Sequence, residues 1–233
     1  MLSDTTRSIL LIIIIILLLI PDIFYEEPFT QQLIEAKVIS LKDRPERRKH
    51  TAEILKNKID FVFFDAIRPS DSDMKGQTLS RGKLGCALSH RTLWKEIVEN
   101  NRPMLILEDD IVINENFDPE KIRTILNNPE LWEVVFLGHC WEPQSDERVI
   151  DDFYTSKNPL CRHAYIVSPK GAKKLLSLTQ LNRAGDEQIA GLVKNGKLKS
   201  LSLHPASISQ TFQIKDYEKK FDSDLMDENR NTK

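Results

Sequence analysis

The chain has 233 residues, a length typical of one domain, and 40% of them are hydrophobic, which is enough to build a substantial core. Its 33 Lys and Arg residues nearly balance 35 Asp and Glu residues, so no global field attracts nucleic acid. An anionic ligand must therefore be held by local groups rather than by net charge.

The N-terminus departs from this ordinary composition, because every residue from Ile9 to Ile20 is Ile or Leu. With no small-x-small cleavage site after the run, residues 1–25 are predicted to form an uncleaved signal-anchor helix, the alternative being a cleaved signal peptide. Arg7 on the cytosolic side makes the chain a single-pass type II membrane protein. The remaining domain would then be lumenal in the ER or Golgi of a eukaryote, and membrane-associated in a bacterium.

Strand-like and helix-like segments alternate after a short stem at 26–35, which predicts an α/β domain over 36–212. The predicted strands cover 37–41, 61–67, 103–107, 133–137, 164–167 and 198–203. Predicted helices follow Asp43, Asp118 and Ser168, and two more cover 84–100 and 186–195. Asp43 is expected to cap the first helix in a capping box with Glu46. The charged tail at 213–233 is predicted to be mobile.

The three cysteines, Cys86, Cys140 and Cys161, show neither Cys-x-x-Cys nor a Cys/His spacing of the zinc kind. A structural zinc site is therefore not expected. A Cys140–Cys161 bridge is compatible with an oxidising lumen, but two buried thiols are the favoured interpretation.

The strongest local signal is the run of acids Glu108-Asp109-Asp110 directly after a buried strand. Adjacent carboxylates repel one another and resist burial, unless a cation or solvent lies beside them. Ligands of open α/β sheets bind at the carboxyl ends of strands, where these acids fall. Oxygen ligands favour Mg²⁺ or Mn²⁺, which makes a metal site one interpretation and a solvated acidic turn the other.

The segment 79–113 resembles glycosyltransferase family 25, which includes bacterial lipooligosaccharide galactosyltransferases and collagen galactosyltransferases. The resemblance covers roughly residues 36–210, and Lys83 departs from it, because family members often carry an acid there. The matching pieces are Gly85-Cys86, Ser89-His90, Leu107 to Asp110, Val38 to Leu41, Asp43 to Arg48, Ala164 to Ser168, Gly171-Ala172 and Asp186 to Gln188.

This resemblance implies a GT-A-like (Rossmann-like) nucleotide-sugar-binding domain, with a mixed, mostly parallel sheet flanked by helices. It also implies hexosyl transfer, most often of galactose from UDP-galactose and with inversion, assisted by Mn²⁺ or Mg²⁺. The expected metal ligands are Asp110 and Glu108. The residues expected at the donor are Arg44, Arg47, Ser89, His90, Glu108 and Asp109.

Several of these assignments have a structural alternative. Either arginine alone is as well explained as an exposed charge on the first turns of a helix, and Ser89-His90 could pack beneath the donor site rather than touch the donor. Inverting transfer needs a base for the acceptor hydroxyl, and the resemblance points to Asp186 and Glu187. Asp186 is equally suited to capping the helix that it begins.

Other functional classes fit less well. A phosphatase of the Asp-x-Asp kind needs an aspartate nucleophile where this chain has Glu108. The alternative from a different class is a glycosyltransferase-like binding or scaffold protein without turnover. The expected partners are a UDP-hexose, a glycan, glycolipid or protein acceptor, and a membrane through the N-terminal segment, with no role for nucleic acid.

Overall fold

The structure is a computed structural model that describes residues 34–213. Within that range, no helix combines the length and the apolar character that crossing a bilayer requires. The predicted signal-anchor at 1–25, most of the stem and the tail from residue 214 onward lie outside the described residues. The anchor therefore stays a prediction.

Strands and helices alternate over most of the described chain. In chain order they are β1 (Glu35–Ser40), α1 (Pro45–Leu55), β2 (Val62–Asp65), α2 (Arg81–Asn100), β3 (Met104–Glu108), β4 (Ile111–Ile113), α3 (Pro119–Leu126), β5 (Val134–Cys140), β6 (Arg148–Ile150), β7 (Phe153–Thr155), β8 (Leu160–Val167), α4 (Pro169–Leu178), α5 (Gly185–Lys194), β9 (Ser200–Leu203) and β10 (Ile208–Gln210). Single 3₁₀ turns lie at Pro129–Leu131 and Thr211–Gln213.

The described residues form an eight-stranded sheet in the order β2-β1-β3-β8-β5-β9-β7-β6 and a small sheet of β4 and β10. The pairings of β1 with β2 and β3, and of β5 with β9, are parallel, whereas β8 and β7 are antiparallel to both of their neighbours. Six of the eight strands in this described sheet therefore run in one direction. This confirms the predicted mixed, mostly parallel sheet.

Helices cover both faces of the sheet, so its central strands are apolar on both sides. Helices α1 and α3 pack on one face over alternate residues of β3, including Leu105 and Leu107. Helices α2, α4 and α5 pack on the other face over Met104 and Ile106. Because successive side chains of a strand point to opposite faces, the residues that follow β3 are directed alternately toward α1 and α2.

The predicted caps of α3 and α4 are confirmed and that of α1 is not, whereas α2 begins at Arg81, three residues before its predicted start. Ser80, Asp118 and Ser168 cap α2, α3 and α4 with side-chain hydrogen bonds to backbone N–H groups, and the latter two precede proline as predicted. The predicted capping box of Asp43 is wrong. Arg44 occupies the N-cap position of α1, and both carboxylate oxygens of Asp43 accept hydrogen bonds from Arg68 instead.

Cys140 and Cys161 form a disulfide, so the favoured interpretation of two buried thiols is wrong. The reason is strand pairing: Cys140 at the end of β5 lies opposite Leu160 of β8, which brings the two Cα atoms within 5.6 Å. That separation lies in the range that a disulfide requires. Sequence spacing alone carries no information about this register.

Two helical glycines make a matched test of the packing between α4 and β5. A Cβ added at Gly171 would lie 2.1 Å from the backbone oxygen of Glu133, whereas one at Gly191 would meet nothing within 4 Å. We expect Gly171→Ala to lower the free energy of unfolding by about 1–3 kcal/mol, the usual cost of overpacking. Gly191→Ala should raise it by about 0.5–1 kcal/mol through helix propensity. Urea denaturation of both variants checks this, and equal effects would contradict the close α4–β5 contact.

Candidate functional site

Strand alternation separates the three adjacent acids at the carboxyl end of β3. Asp109 continues the face of Leu107 and points to α1, whereas Glu108 continues the face of Ile106 and points to α2. Asp110 lies in the turn before β4 and meets β10. Each carboxylate therefore acquires its own set of partners, although the three are neighbours in sequence.

Asp109 is buried against β1 and α1. One of its carboxylate oxygens accepts a 2.7 Å hydrogen bond from the Ser40 hydroxyl, and the other lies 3.0 Å from Arg47 Nη2. The same nitrogen is 3.5 Å from Asp110 Oδ2, so Arg47 balances two of the three acids. Thr51, one turn further along α1, donates to the Asp109 carbonyl at 2.9 Å and fixes the backbone of the turn.

Glu108 ends a buried chain of hydrogen bonds on the α2 face. Its Oε1 lies 3.0 Å from His90 Nε2, His90 Nδ1 lies 2.7 Å from the Tyr165 hydroxyl, and Trp94 Nε1 donates to that hydroxyl at 3.0 Å. An ionised carboxylate only accepts, so Nε2 of a neutral His90 carries the proton and Nδ1 accepts from Tyr165. The tautomer is thus fixed, and all three buried side chains are satisfied.

Glu108 and Asp110 converge on one amide group. Gln210 Nε2 lies 3.4 Å from Glu108 Oε2 and 3.3 Å from each Asp110 carboxylate oxygen. The amide carries only a partial positive charge, and it stands where two carboxylates would hold a cation. Two oxygen ligands from the protein, with the rest from water and phosphate, suit Mg²⁺ or Mn²⁺. The residues present therefore fit a divalent metal.

Asp109 and Asp110 resist ionisation where they lie, because the pKa of each is raised. Burial raises the pKa of Asp109 to about 6, although Arg47 opposes the shift. Burial, and then the charge of Glu108, also raises the pKa of Asp110. Burial lowers the pKa of His90 well below its ordinary value, which agrees with its neutral state in the hydrogen-bonded chain. A cation between the carboxylates would favour their charged forms.

A buried arginine completes the charge arrangement on the α5 side. Arg162 Nη2 donates to Cys86 Sγ at 3.3 Å, and the Cys86 thiol in turn lies 3.8 Å from Glu108 Oε1. A Cβ added at Gly185 would lie 2.0 Å from the Arg162 guanidinium, so the start of α5 rests directly on it. The next residue, Asp186, accepts a 3.3 Å hydrogen bond from the Cys161 N–H and is half-buried beside this group.

The remaining sequence-derived candidates lie at varied depths. Ser89 is fully buried, donates to the Gly85 carbonyl and accepts from the Ile67 N–H, so its hydroxyl ties α2 to the segment after β2. Arg44 is the half-buried N-cap residue of α1, and Glu187 is exposed in the first turn of α5. Asp186 lies inside α5 rather than at its N-cap, which is Ala184.

Sequence reasoning missed Gln210, Arg162 and Tyr165. Gln210 lies in a three-residue strand that is too short to give a periodic signal, and it reaches the acids because β10 pairs with β4. Arg162 and Tyr165 lie three residues apart inside β8, and neither has a spacing that singles it out. An arginine within a buried strand is the one signal that could have been used, since such charges are rarely buried without a partner.

Two large aromatic side chains are exposed beside Gln210. Trp141 follows the disulfide cysteine of β5 and is 77% exposed, and Phe212 follows β10 and is 45% exposed. Their ring centroids are 6.0 Å apart. Cys140 Sγ lies 3.7 Å from Gln210 Oε1, so the aromatic pair stands next to the group that contacts the acids.

The chain matches the family model described as glycosyltransferase family 25 (LPS biosynthesis protein) over residues 34–189. A putative glycosyltransferase from Haemophilus influenzae is 35% identical over 201 residues, covering 76% of this chain and 70% of that protein. Procollagen galactosyltransferase 1-B from Xenopus laevis is 30% identical over 177 residues, covering 64% of this chain and 29% of that protein.

A probable inactive glycosyltransferase 25 family member 3 from Bos taurus is 27% identical, covering 64% of this chain and 29% of that protein. The chain thus spans less than a third of the length of the procollagen enzyme and of this inactive relative. The similar proteins therefore include ones named as enzymes and ones named as inactive.

The raised pKa of Asp109 gives a pH test of the acidic turn. Its folded-state pKa of about 6 exceeds the ordinary 3.8, so its stabilising contribution is present below pH 4 and is lost as the pH rises through 6. Asp109→Asn removes this pH-dependent loss of stability, because an amide does not ionise. We expect its stability relative to wild type to improve by up to about 3 kcal/mol between pH 4 and pH 7.

Denaturant titrations of both proteins across that range measure the difference, with Asp60→Asn, at an exposed position, as the control. A flat or falling difference for Asp109→Asn would contradict the desolvated environment.

Proposed function

The chain belongs to glycosyltransferase family 25, and on that premise we propose that it transfers a hexosyl group from a nucleotide sugar to an acceptor hydroxyl. The observation that carries the proposal is the convergence of Glu108 and Asp110 on a single point, the Gln210 amide, at the carboxyl end of β3. Carboxyl ends of strands are where open α/β sheets bind nucleotides. The mixed sheet supports a GT-A-like domain.

We place the donor's diphosphate beside the acidic turn. Glu108 and Asp110 would hold a Mn²⁺ or Mg²⁺ ion, which when bound would stabilise the charge that develops on the leaving nucleoside diphosphate. Arg47 sets the orientation of both Asp109 and Asp110 through contacts of 3.0 and 3.5 Å. His90, which is hydrogen-bonded to Tyr165, orients the Glu108 carboxylate through its 3.0 Å contact with Oε1. The donor-binding roles of Arg44 and Ser89 stay predictions.

Asp186 is the residue that we assign as the general base. Its half-buried carboxylate lies in the first turn of α5 and near the Arg162 guanidinium, on the same side of the sheet as Glu108. A carboxylate held by one backbone N–H keeps free lone pairs to accept the acceptor's proton. The exposed Glu187 is the alternative base.

The donor that we propose is UDP-galactose. Similarity to a procollagen galactosyltransferase supports galactose as the sugar that is transferred. A glycan, a glycolipid and a protein side chain stay the proposed acceptor classes. A binding or scaffold function without turnover is the second candidate, because relatives of comparable identity are named as inactive. Turnover of a sugar donor distinguishes the two.

The donor site is tested by titrating the purified chain with UDP in the presence and absence of Mn²⁺. We expect Mn²⁺-dependent binding that Asp110→Asn weakens by roughly 100-fold, because one of two protein ligands loses its charge. Glu115→Gln, an exposed acid five residues further on, is the matched control and should bind like wild type. Folded protein that binds no UDP under either condition would exclude the donor site.

The base is tested by kinetics of transfer from UDP-galactose. Asp186→Asn should lower kcat by about 10²- to 10⁴-fold and leave the UDP dissociation constant unchanged, because the carboxylate acts on the acceptor hydroxyl. Asp151→Asn, on an exposed turn, should retain full activity. If Glu187→Gln abolishes turnover and Asp186→Asn does not, the base is Glu187.

A further inference from the structure

A second cluster of ligand side chains lies at the carboxyl ends of β5 and β9. His139 belongs to β5, Glu142 lies in the loop after β5, and His204 follows β9 directly. One ligand atom from each residue lies within 4.8 Å of the other two, and the two imidazole centroids are 4.5 Å apart. We propose that His139, Glu142 and His204 form a site for a divalent transition metal of the zinc class, distinct from the acidic turn.

The state of Glu142 is the first argument. Its side chain is 8% exposed, and its Oε1 accepts backbone hydrogen bonds from Lys157 at 2.8 Å and Asn158 at 3.1 Å. Its Oε2 is buried, and within residues 34–213 it has no hydrogen-bond partner. A buried carboxylate oxygen without a partner is costly, and it is rare in a folded protein. A cation next to the two imidazoles would satisfy this oxygen.

The orientation of His139 is the second argument. Its Nε2 lies 3.1 Å from the Leu203 carbonyl oxygen, which can only accept, so Nε2 carries the proton. The neutral ring therefore keeps its lone pair on Nδ1. A metal-bound histidine usually donates its other N–H to a carbonyl or a carboxylate, and this contact orients the ligand. His139 has that arrangement, because its Nε2 donates to the carbonyl of Leu203, the residue just before His204.

The composition of the cluster selects the class of metal. Two imidazoles and one carboxylate suit Zn²⁺ and related ions, whereas Mg²⁺ and Ca²⁺ prefer oxygen alone. Three protein ligands leave the fourth position of a tetrahedral zinc ion for water or for a group of a bound substrate. Glu108 and Asp110, which offer only oxygen, would take the harder ion. The two sites are therefore separable by metal preference.

Binding here would add a link between segments that meet at this end of the sheet, where β5 and β9 are already paired. The ion would connect the end of β5 to the end of β9, and Glu142 already holds the turn at Lys157 and Asn158. The exposed Trp141 lies between His139 and Glu142 in the chain. The ion would thus fix the position of this aromatic residue next to the candidate active site.

The test uses the full chain, stripped of metal and carrying Asp110→Asn to weaken the acidic site. Titration with Co²⁺, followed by its visible d–d absorption, and with Zn²⁺ by calorimetry, should show one equivalent bound. His204→Asn and Glu142→Gln should each weaken Zn²⁺ binding by roughly tenfold or more. Tyr154→Phe is the matched control, because its ring packs edge-on against His204 at 5.8 Å without offering a ligand.

Circular dichroism and thermal melts establish whether each variant is folded. If one of the two ligand variants does not fold, the other still tests the site. Loss of the Co²⁺ spectrum in both, with Tyr154→Phe unaffected, supports the site. No bound equivalent in the Asp110→Asn protein, or binding that both variants retain, overturns it. A sulfur-to-cobalt charge-transfer band would also overturn it, because it would place the ion at Cys86 instead. The donor site is tested separately, by UDP titration of the chain with intact Asp110. Failure of the zinc-class site would therefore leave the proposed function standing.

Discussion

The desolvation of three adjacent carboxylates at the end of the central strand β3 is the constraint on which the arrangement around it depends. The sheet buries this strand on both faces, so the acids that follow it cannot all turn to water. Each is compensated by a different element: Asp109 by β1 and α1, Glu108 by α2, and Asp110 by β10. The segments around the strand end are thus joined by charge as well as by apolar packing.

The positive groups beside the three acids do not fully balance their negative charge. Arg47 supplies one full positive charge to Asp109 and Asp110 together. Between Glu108 and Asp110, Gln210 supplies only an amide dipole. Burial raises the pKa of Asp109 and of Asp110, and the charge of Glu108 adds to the shift in both. We propose that a divalent cation held by Glu108 and Asp110 would offset this negative charge, with the neutral His90 fixed behind Glu108.

Much of the scaffold could be predicted from the chain, because long apolar runs and proline-preceded caps are local signals. The start of α3 at Asp118 and of α4 at Ser168 follows from such signals. The cap of α1 could not be predicted, since Asp43 is drawn to Arg68, a partner 25 residues away. The three-residue strands could not be predicted because they are too short to show periodicity. Gln210, which lies in one of them, was missed for the same reason. Contacts set by register, including the disulfide, require the folded sheet.

The disulfide between β5 and β8 has a consequence for how this domain can diversify. Cys140 and Cys161 are 21 positions apart, and the covalent link holds the two strands together whatever the chain between them does. Lengthening a loop whose ends are already fixed adds little entropic cost. A change of length in the chain between the two cysteines would therefore alter the edge of the sheet that β7 and β6 form, while the bridge keeps β5 and β8 joined.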